Sequence, residues 1–471
     1  MGIECLLIKR WKHVMKYGIY GTYNKKVQGT MFRPEQLRQL IYPLIIEQVL
    51  AITVGMVDTV MISYAGEAAM SGVSLVDMIN NLLISIFAAI ATGGAVVISQ
   101  YLGSGNKSRA SQAASQLITV ATVIAVGFMA LSILGNRPIL GLLFGSIEPD
   151  VMDSASIYFL ISAWSYPFLA VFNACAAIFR SMGNAKISMK ISAGMNIFNA
   201  IGNAILIFGF SMGAAGAALS TFAARVLGAI VILVLAAGSG NEVRVKYREL
   251  LRWEKDMVHR ILHIAIPSGV ENGLFQLGRV LVVSIIALFG TAQIAANAVA
   301  NTLDSMGCIA GQAMNLAMIT VVGQCMGAGN KEQAIHYTKK LWKITYLITV
   351  VINTFILLGL PLILKCFSLS QEAYRYAYIL VMIHDGMAIF LWPTSFTMPN
   401  ALRAAGDVKF CMFISIFSMV VFRILFSVVF GIWLGWGAIG VWTAMVIDWI
   451  FRATLFVWRF VQGKWLEYKV I

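Results

Sequence analysis

Asp58 is the one charged side chain in the run VLAITVGMVDTVMISYA, residues 49–65. A carboxylate in the middle of such a stretch disfavours membrane insertion by roughly 2.5–3.5 kcal/mol. Acids at that depth bind cations, relay protons or pair with a base, and Arg225 is the candidate base for such a pairing. Later in the chain Ser192, Asn196, Asn199 and Asn203 recur at spacings of four, three and four. That spacing lays them along one face of a helix. Glu47 precedes Asp58 by eleven residues, three helical turns, so the two acids point the same way.

The elements that must position these residues are membrane helices. The chain has 471 residues, 59% hydrophobic and 12% charged. A soluble protein carries about a quarter charged residues. Twelve apolar stretches, from about 40–64 to about 437–460, each approach the length that crosses a bilayer as helix. Strand-like alternation is missing, which excludes a β-barrel. With both termini assigned to the cytoplasm, Lys and Arg crowd onto the cytoplasmic side. The opposite loops hold only Arg137, Lys365 and Arg375. This positive-inside pattern accounts for the net charge of +14 without nucleic acid as a partner. Residues 1–33 read as a basic cytoplasmic tail with no cleavable signal, and Met31 is an alternative start to Met1. The six cysteines form no CxxC or Cys/His cluster.

The chain is also written twice. At an offset of 224, Pro43 meets Pro267, Glu47 meets Glu271, and the loop QYLGSGNK (100–107) meets QCMGAGNK (324–331). RSMGNAK (180–186) meets RAAGDVK (403–409), and Gly213 and Gly216 meet Gly437 and Gly440. A duplicated six-span unit inserts both copies in one orientation. The expected fold is therefore all-α: twelve transmembrane helices in two six-helix bundles, related by a pseudo-two-fold axis along the membrane normal. The bundles are expected at 34–238 and 260–463, with a cytoplasmic linker over 239–259 and a cytoplasmic C-terminus over 464–471. Asp58 meets Val282, Asn199 and Asn203 meet Phe422 and Phe426, and Thr221 meets Met445. The first half thus holds a carboxylate, two carboxamides and a hydroxyl where the second holds hydrocarbon. Such oxygens suit a hard cation or a proton relay. Glu47 and Glu271, kept in both halves, read as scaffold.

With these motifs the sequence resembles the multidrug and toxic compound extrusion (MATE) family over nearly all of 33–463. The carriers are Pro43 followed by GMVDTVMISYAG (55–66), the loop GSGNK, and FRSMGNAK (179–186). The resemblance implies a V-shaped pair of bundles and an exporter driven by inward Na⁺ or H⁺. It implies that Asp58, Asn199, Asn203 and Thr221 couple the cation, and ligate it if it is Na⁺. Position 203 departs from members that carry Asp there, leaving one carboxylate fewer and favouring a singly charged ion. Glu271 and Asp385 lie in spans where some members carry acids, displaced by a turn or more, and with Glu47 stand as secondary charge sites. The expected activity is antiport of small, drug-like, often cationic and amphipathic compounds, by a monomer in the bacterial plasma membrane. A flippase for lipid-linked oligosaccharide is the alternative. No enzyme activity is expected. No nucleotide loop of the GxxxxGK[ST] type is present, so neither nucleotide nor cofactor is expected beyond the coupling ion.

Overall fold

The structure, a computed structural model, describes residues 31–471 except 146, 147, 251 and 368. The choice between Met1 and Met31, and nearly all of the basic tail, lie outside the described residues. Among the described residues every regular element is a helix, and twelve helices are long and apolar enough to cross a membrane. We number them α1 (Pro34–Ser63), α2 (Glu67–Gly103), α3 (Lys107–Leu134), α4 (Pro149–Ser181), α5 (Ala185–Gly209) and α6 (Gly213–Ala236). The remaining six are α7 (Lys255–Ala287), α8 (Thr291–Gly327), α9 (Lys331–Lys365), α10 (Gln371–Ala405), α11 (Val408–Trp433) and α12 (Gly437–Gln462).

Packing divides the chain into a first unit, 35–276, and a second, 277–471 together with the end of the tail. The cut falls inside α7, later than the start of the seventh span at 260. The first part of α7 belongs to the first unit because it lies close on α2. A Cβ added to Gly93 would come within 2.7 Å of the Ile261 carbonyl oxygen. The linker is likewise docked on the first unit. Gln116 on α3 donates to the carbonyls of Glu249 and Arg252, at 3.0 and 2.6 Å. Tyr337 on α9 fixes the end of the tail in the second unit, donating to the Phe32 carbonyl and accepting from the Phe32 N–H, both at 2.9 Å.

Each core sits between the long inner helices. Phe87, Ile98, Leu117, Phe159 and Phe179 are fully buried in the first unit. Leu360, Leu380, Trp392, Trp442 and Trp449 are buried together in the second. The repeated GNK loops have a structural cause. Gly105 and Gly329 take φ of +78° and +68°, which favours glycine and ends α2 and α8. The next residue then caps the following helix. Asn106 Oδ1 accepts from Arg109 N–H, and Asn330 Oδ1 from Gln333 N–H, each at 3.0 Å.

The paired glycines at the start of α6 and α12 have a packing cause. Both α5 and α11 end in π-helical turns, Ala204–Gly209 and Val428–Trp433, at matching places in the repeat. The first turn of the next helix folds back against that widened backbone. A Cβ on Gly440 would lie 2.6 Å from the Phe430 carbonyl carbon, and one on Gly216 would lie 3.1 Å from Leu206 Cβ. Backbone yields less readily than a side chain. Gly440→Ala is therefore expected to cost about 1–3 kcal/mol, and Gly216→Ala less. Thermal unfolding of the purified variants in detergent measures both. An unchanged midpoint for Gly440→Ala would contradict this close approach.

Candidate functional site

Asp58 lies in the last third of α1, half-buried, where α1 passes α5 and α6. Asn203 Nδ2 donates to Asp58 Oδ1 at 2.8 Å. Asn199, one turn earlier on α5, takes its amide orientation from the surrounding network. With Nδ2 toward Asp58, it sits 2.9 and 3.1 Å from the two carboxylate oxygens. Its Oδ1 then accepts from Thr221 Oγ1 and Thr221 N–H, at 3.0 and 3.2 Å. The Asn199 carbonyl also accepts from Ser220 Oγ at 2.8 Å, which holds α6 against α5. Four residues from three helices thus meet around one carboxylate.

Asn199 and Asn203 are both buried. Asn203 Oδ1 is buried without a hydrogen-bond partner. Such a group carries a penalty of about 1–3 kcal/mol, and a cation or water beside Asp58 would relieve it. Rotating either amide exchanges its N–H₂ for an oxygen. The donor set can therefore serve a bare carboxylate through N–H groups or a small cation through oxygens. The residues fit a monovalent hard cation.

α1 is tied to its neighbours by few contacts, which makes these bonds important. Val49, Met56, Val57 and Val60 are all more than a third exposed. Besides Asp58, the tethers include an edge-on contact of Tyr64 with Phe208 at 5.7 Å and the partners of Glu47. Glu47 Oε2 accepts from Ser188 Oγ at 3.1 Å, and its Oε1 faces Arg180 Nη1 at 3.8 Å. Glu47 thereby joins α1 to α4 and α5 as a buried charge pair. Glu271 is buried in α7, and Asp385 in α10 is bonded to His384. Neither is a hydrogen-bond partner of Asp58 among the described residues.

The structure adds a carboxylate that the sequence reading passed over. Asp77 on α2 lies in the same unit as Asp58. Tyr158 Oη and Asn80 Nδ2 donate to its Oδ1 at 3.3 and 3.4 Å, and Tyr166 Oη donates to Asn80 Oδ1 at 2.9 Å. Arg225, the base considered for Asp58, instead donates to Ser165 Oγ at 2.6 Å. Among the described residues it makes no ion pair with Asp58. Comparing the halves would have exposed Asp77. DMIN (77–80) meets NTLD (301–304), so acid and amide are exchanged between the halves.

In the second unit the places equivalent to Asn199 and Asn203 are aromatic. Phe422 packs on Phe426 and Phe451, with ring centroids 5.2 and 4.6 Å apart. A hollow of about 600 Å³ opens between α10 and α12, lined by Tyr378, Met382, Ile383, Met387, Thr443 and Val446. Trp392 stacks on Phe396 at 5.2 Å and is buried against Gly311.

Comparison with known proteins places this arrangement. The MatE family model matches residues 43–205 and again 267–429, in the register that brings Pro43 onto Pro267. The uncharacterized transporter YisQ of Bacillus subtilis (strain 168) is 28% identical over 440 residues, 92% of this chain and 95% of its own. The probable multidrug resistance protein NorM of Thermotoga maritima is 26% identical over 464 residues, 97% of this chain and 98% of its own. A solved MOP superfamily transporter from Pyrococcus furiosus shares the fold, with a TM-score of 0.85 at 18% identity, over 92% of this chain and 97% of that one. With the family model matching both halves, the chain belongs to the MATE family and is a twelve-helix, multi-pass membrane transporter.

Proposed function

We propose that the protein exports small amphipathic organic compounds in exchange for one Na⁺ or H⁺ taken up at Asp58. The observation that carries this reading is the meeting of Asp58 with Asn199, Asn203 and Thr221, around a buried amide oxygen that lacks a partner. Relatives named as multidrug resistance and multidrug export proteins support the substrate class.

The mechanism follows from charge. An anionic Asp58 holds α5 to α1 through the amide N–H groups of Asn199 and Asn203. A proton or Na⁺ arriving from outside cancels that charge, and the amides lose their anionic acceptor or turn their oxygens inward. The loosened α1 repacks between Pro43 and Gly55, where an added Cβ at Gly55 would meet nothing within 4 Å. Substrate is released outside, and the neutral form then turns and frees its ion in the cytoplasm. Substrate binding restores the starting state.

The test is dye transport in inverted membrane vesicles, with Na⁺ and H⁺ gradients imposed separately and the ion high in the lumen. Ethidium accumulation driven by at least one gradient is expected. No accumulation under either would overturn the proposal. The proposed cytoplasmic placement of the two GNK loops has its own check. Single cysteines at Ser104 and Ala328, in a cysteine-free background, should resist impermeant thiol reagents in intact cells and react after permeabilisation. Labelling of either from outside would reverse the topology.

A further inference from the structure

We infer that Asp304, Cys308 and His384 form a binding site for a divalent transition-metal ion of the Zn²⁺ class, independent of the coupling site at Asp58. Asp304 and Cys308 are one turn apart on α8, so both side chains leave the same face. His384 comes from α10. Cys308 Sγ lies 3.2 Å from Asp304 Oδ1, and His384 Nε2 lies 2.7 Å from the same oxygen. One ligand atom from each of the three falls within 4.8 Å of the other two. Tetrahedral ligands at about 2.0–2.3 Å from zinc stand roughly 3.3–3.7 Å apart. The Asp304–His384 pair opens by about 0.6 Å and the Asp304–Cys308 pair by about 0.3 Å to accept the ion.

Two further features separate this cluster from an ordinary buried hydrogen-bond network. The first is the direction of His384 Nε2. The short contact with Asp304 is poorly aligned and leaves Nε2 without a satisfied partner, and the ring is 1% exposed. The second is the opposite ring nitrogen. Nδ1 lies 2.6 Å from Asp385 Oδ1. A carboxylate that fixes the far nitrogen of a histidine is the usual support of a metal-bound imidazole.

The rest of the second unit accommodates such an ion. Trp442 and Trp449 hold the ring edge-on, with centroids 5.6 and 5.0 Å away. Trp392 on α10 lies against Gly311 on α8, so the two helices are already in tight register. The Asp304 side chain is 22% exposed. A divalent ion offsets the Asp304 carboxylate and a Cys308 thiolate, the Asp385 carboxylate remaining as the anionic support of a neutral imidazole, and the thiol proton leaves to solvent on binding. The repeat has no need of these ligands as scaffold, since Asp304 and Cys308 meet Asn80 and Ile84 in the first half. Occupancy would cross-link α8 to α10.

Co²⁺ titration of the purified full-length protein in detergent tests the site. About one equivalent is expected to bind and to produce a thiolate-to-cobalt charge-transfer band with tetrahedral d–d bands, all erased by Zn²⁺. Cys308→Ser should lose the charge-transfer band, while Cys366→Ser, at an exposed cysteine, should keep it. Asp385→Asn should weaken Co²⁺ affinity about 10–100-fold. In case Cys308→Ser does not fold, Zn²⁺ protection of Cys308 in the wild-type chain is read by mass spectrometry after alkylation. At least tenfold slower labelling is expected. The inference falls if the wild type shows no thiolate band, if Cys308→Ser retains it, or if Zn²⁺ leaves Cys308 labelling unchanged.

Discussion

Asp58→Asn is expected to reduce ion-driven efflux to the background of vesicles lacking the protein, while the variant expresses and folds. Asparagine has nearly the same size and still accepts a hydrogen bond from Asn203 Nδ2, which sits 2.8 Å from Asp58 Oδ1. Unfolding stability should stay within about 1 kcal/mol of the wild type. What disappears is the exchange of a charge. The amide mimics the neutral, ion-loaded state permanently, so α1 has no reason to change its packing during the cycle. The readout is gradient-driven ethidium transport at matched protein level. Near wild-type transport in a well-folded Asp58→Asn protein would remove Asp58 from the mechanism.

Asn203→Asp is the second large effect. The new carboxylate would stand at hydrogen-bond distance from Asp58, and two bare carboxylates that close cannot both stay charged. At neutral pH the pair must share a proton or hold a cation, and it holds either more firmly than Asp58 alone. Releasing the ion into the cytoplasm then requires a higher pH. The pH profile of efflux should move upward by about one unit or more, and maximal turnover should fall. The measurement is dye efflux against pH for both proteins at fixed membrane potential, with and without Na⁺. An unchanged profile would mean that position 203 does not act on Asp58.

Much of this arrangement was legible in the sequence because it rests on periodicity. The i,i+4 spacing of Asn199 and Asn203 places them on one helical face, and the mismatch with Phe422 and Phe426 marks that face as special to the first half. The twelve helices were legible for the same reason, as apolar length and repeat register are local properties. Contacts between distant helices were not. Nothing in the spacing says that Arg180 and Ser188 grip Glu47, or that Arg225 turns to Ser165 and leaves Asp58 to amides. The π-helical ends of α5 and α11 depend on tertiary packing that propensity does not encode. His384 and Asp304, eighty residues apart, are joined only by the register of α8 on α10. Asp77 was legible and passed over, since the exchange of DMIN for NTLD identifies it by the same comparison that singled out Asp58.

The most direct test is ion movement itself. In proteoliposomes loaded with ²²Na⁺ or with a pH indicator, adding substrate on the opposite face should start a counterflow of one of the two ions. That counterflow should be present with the wild-type protein and absent with Asp58→Asn. Equal substrate-dependent ion flux from the two proteins would contradict coupling at Asp58.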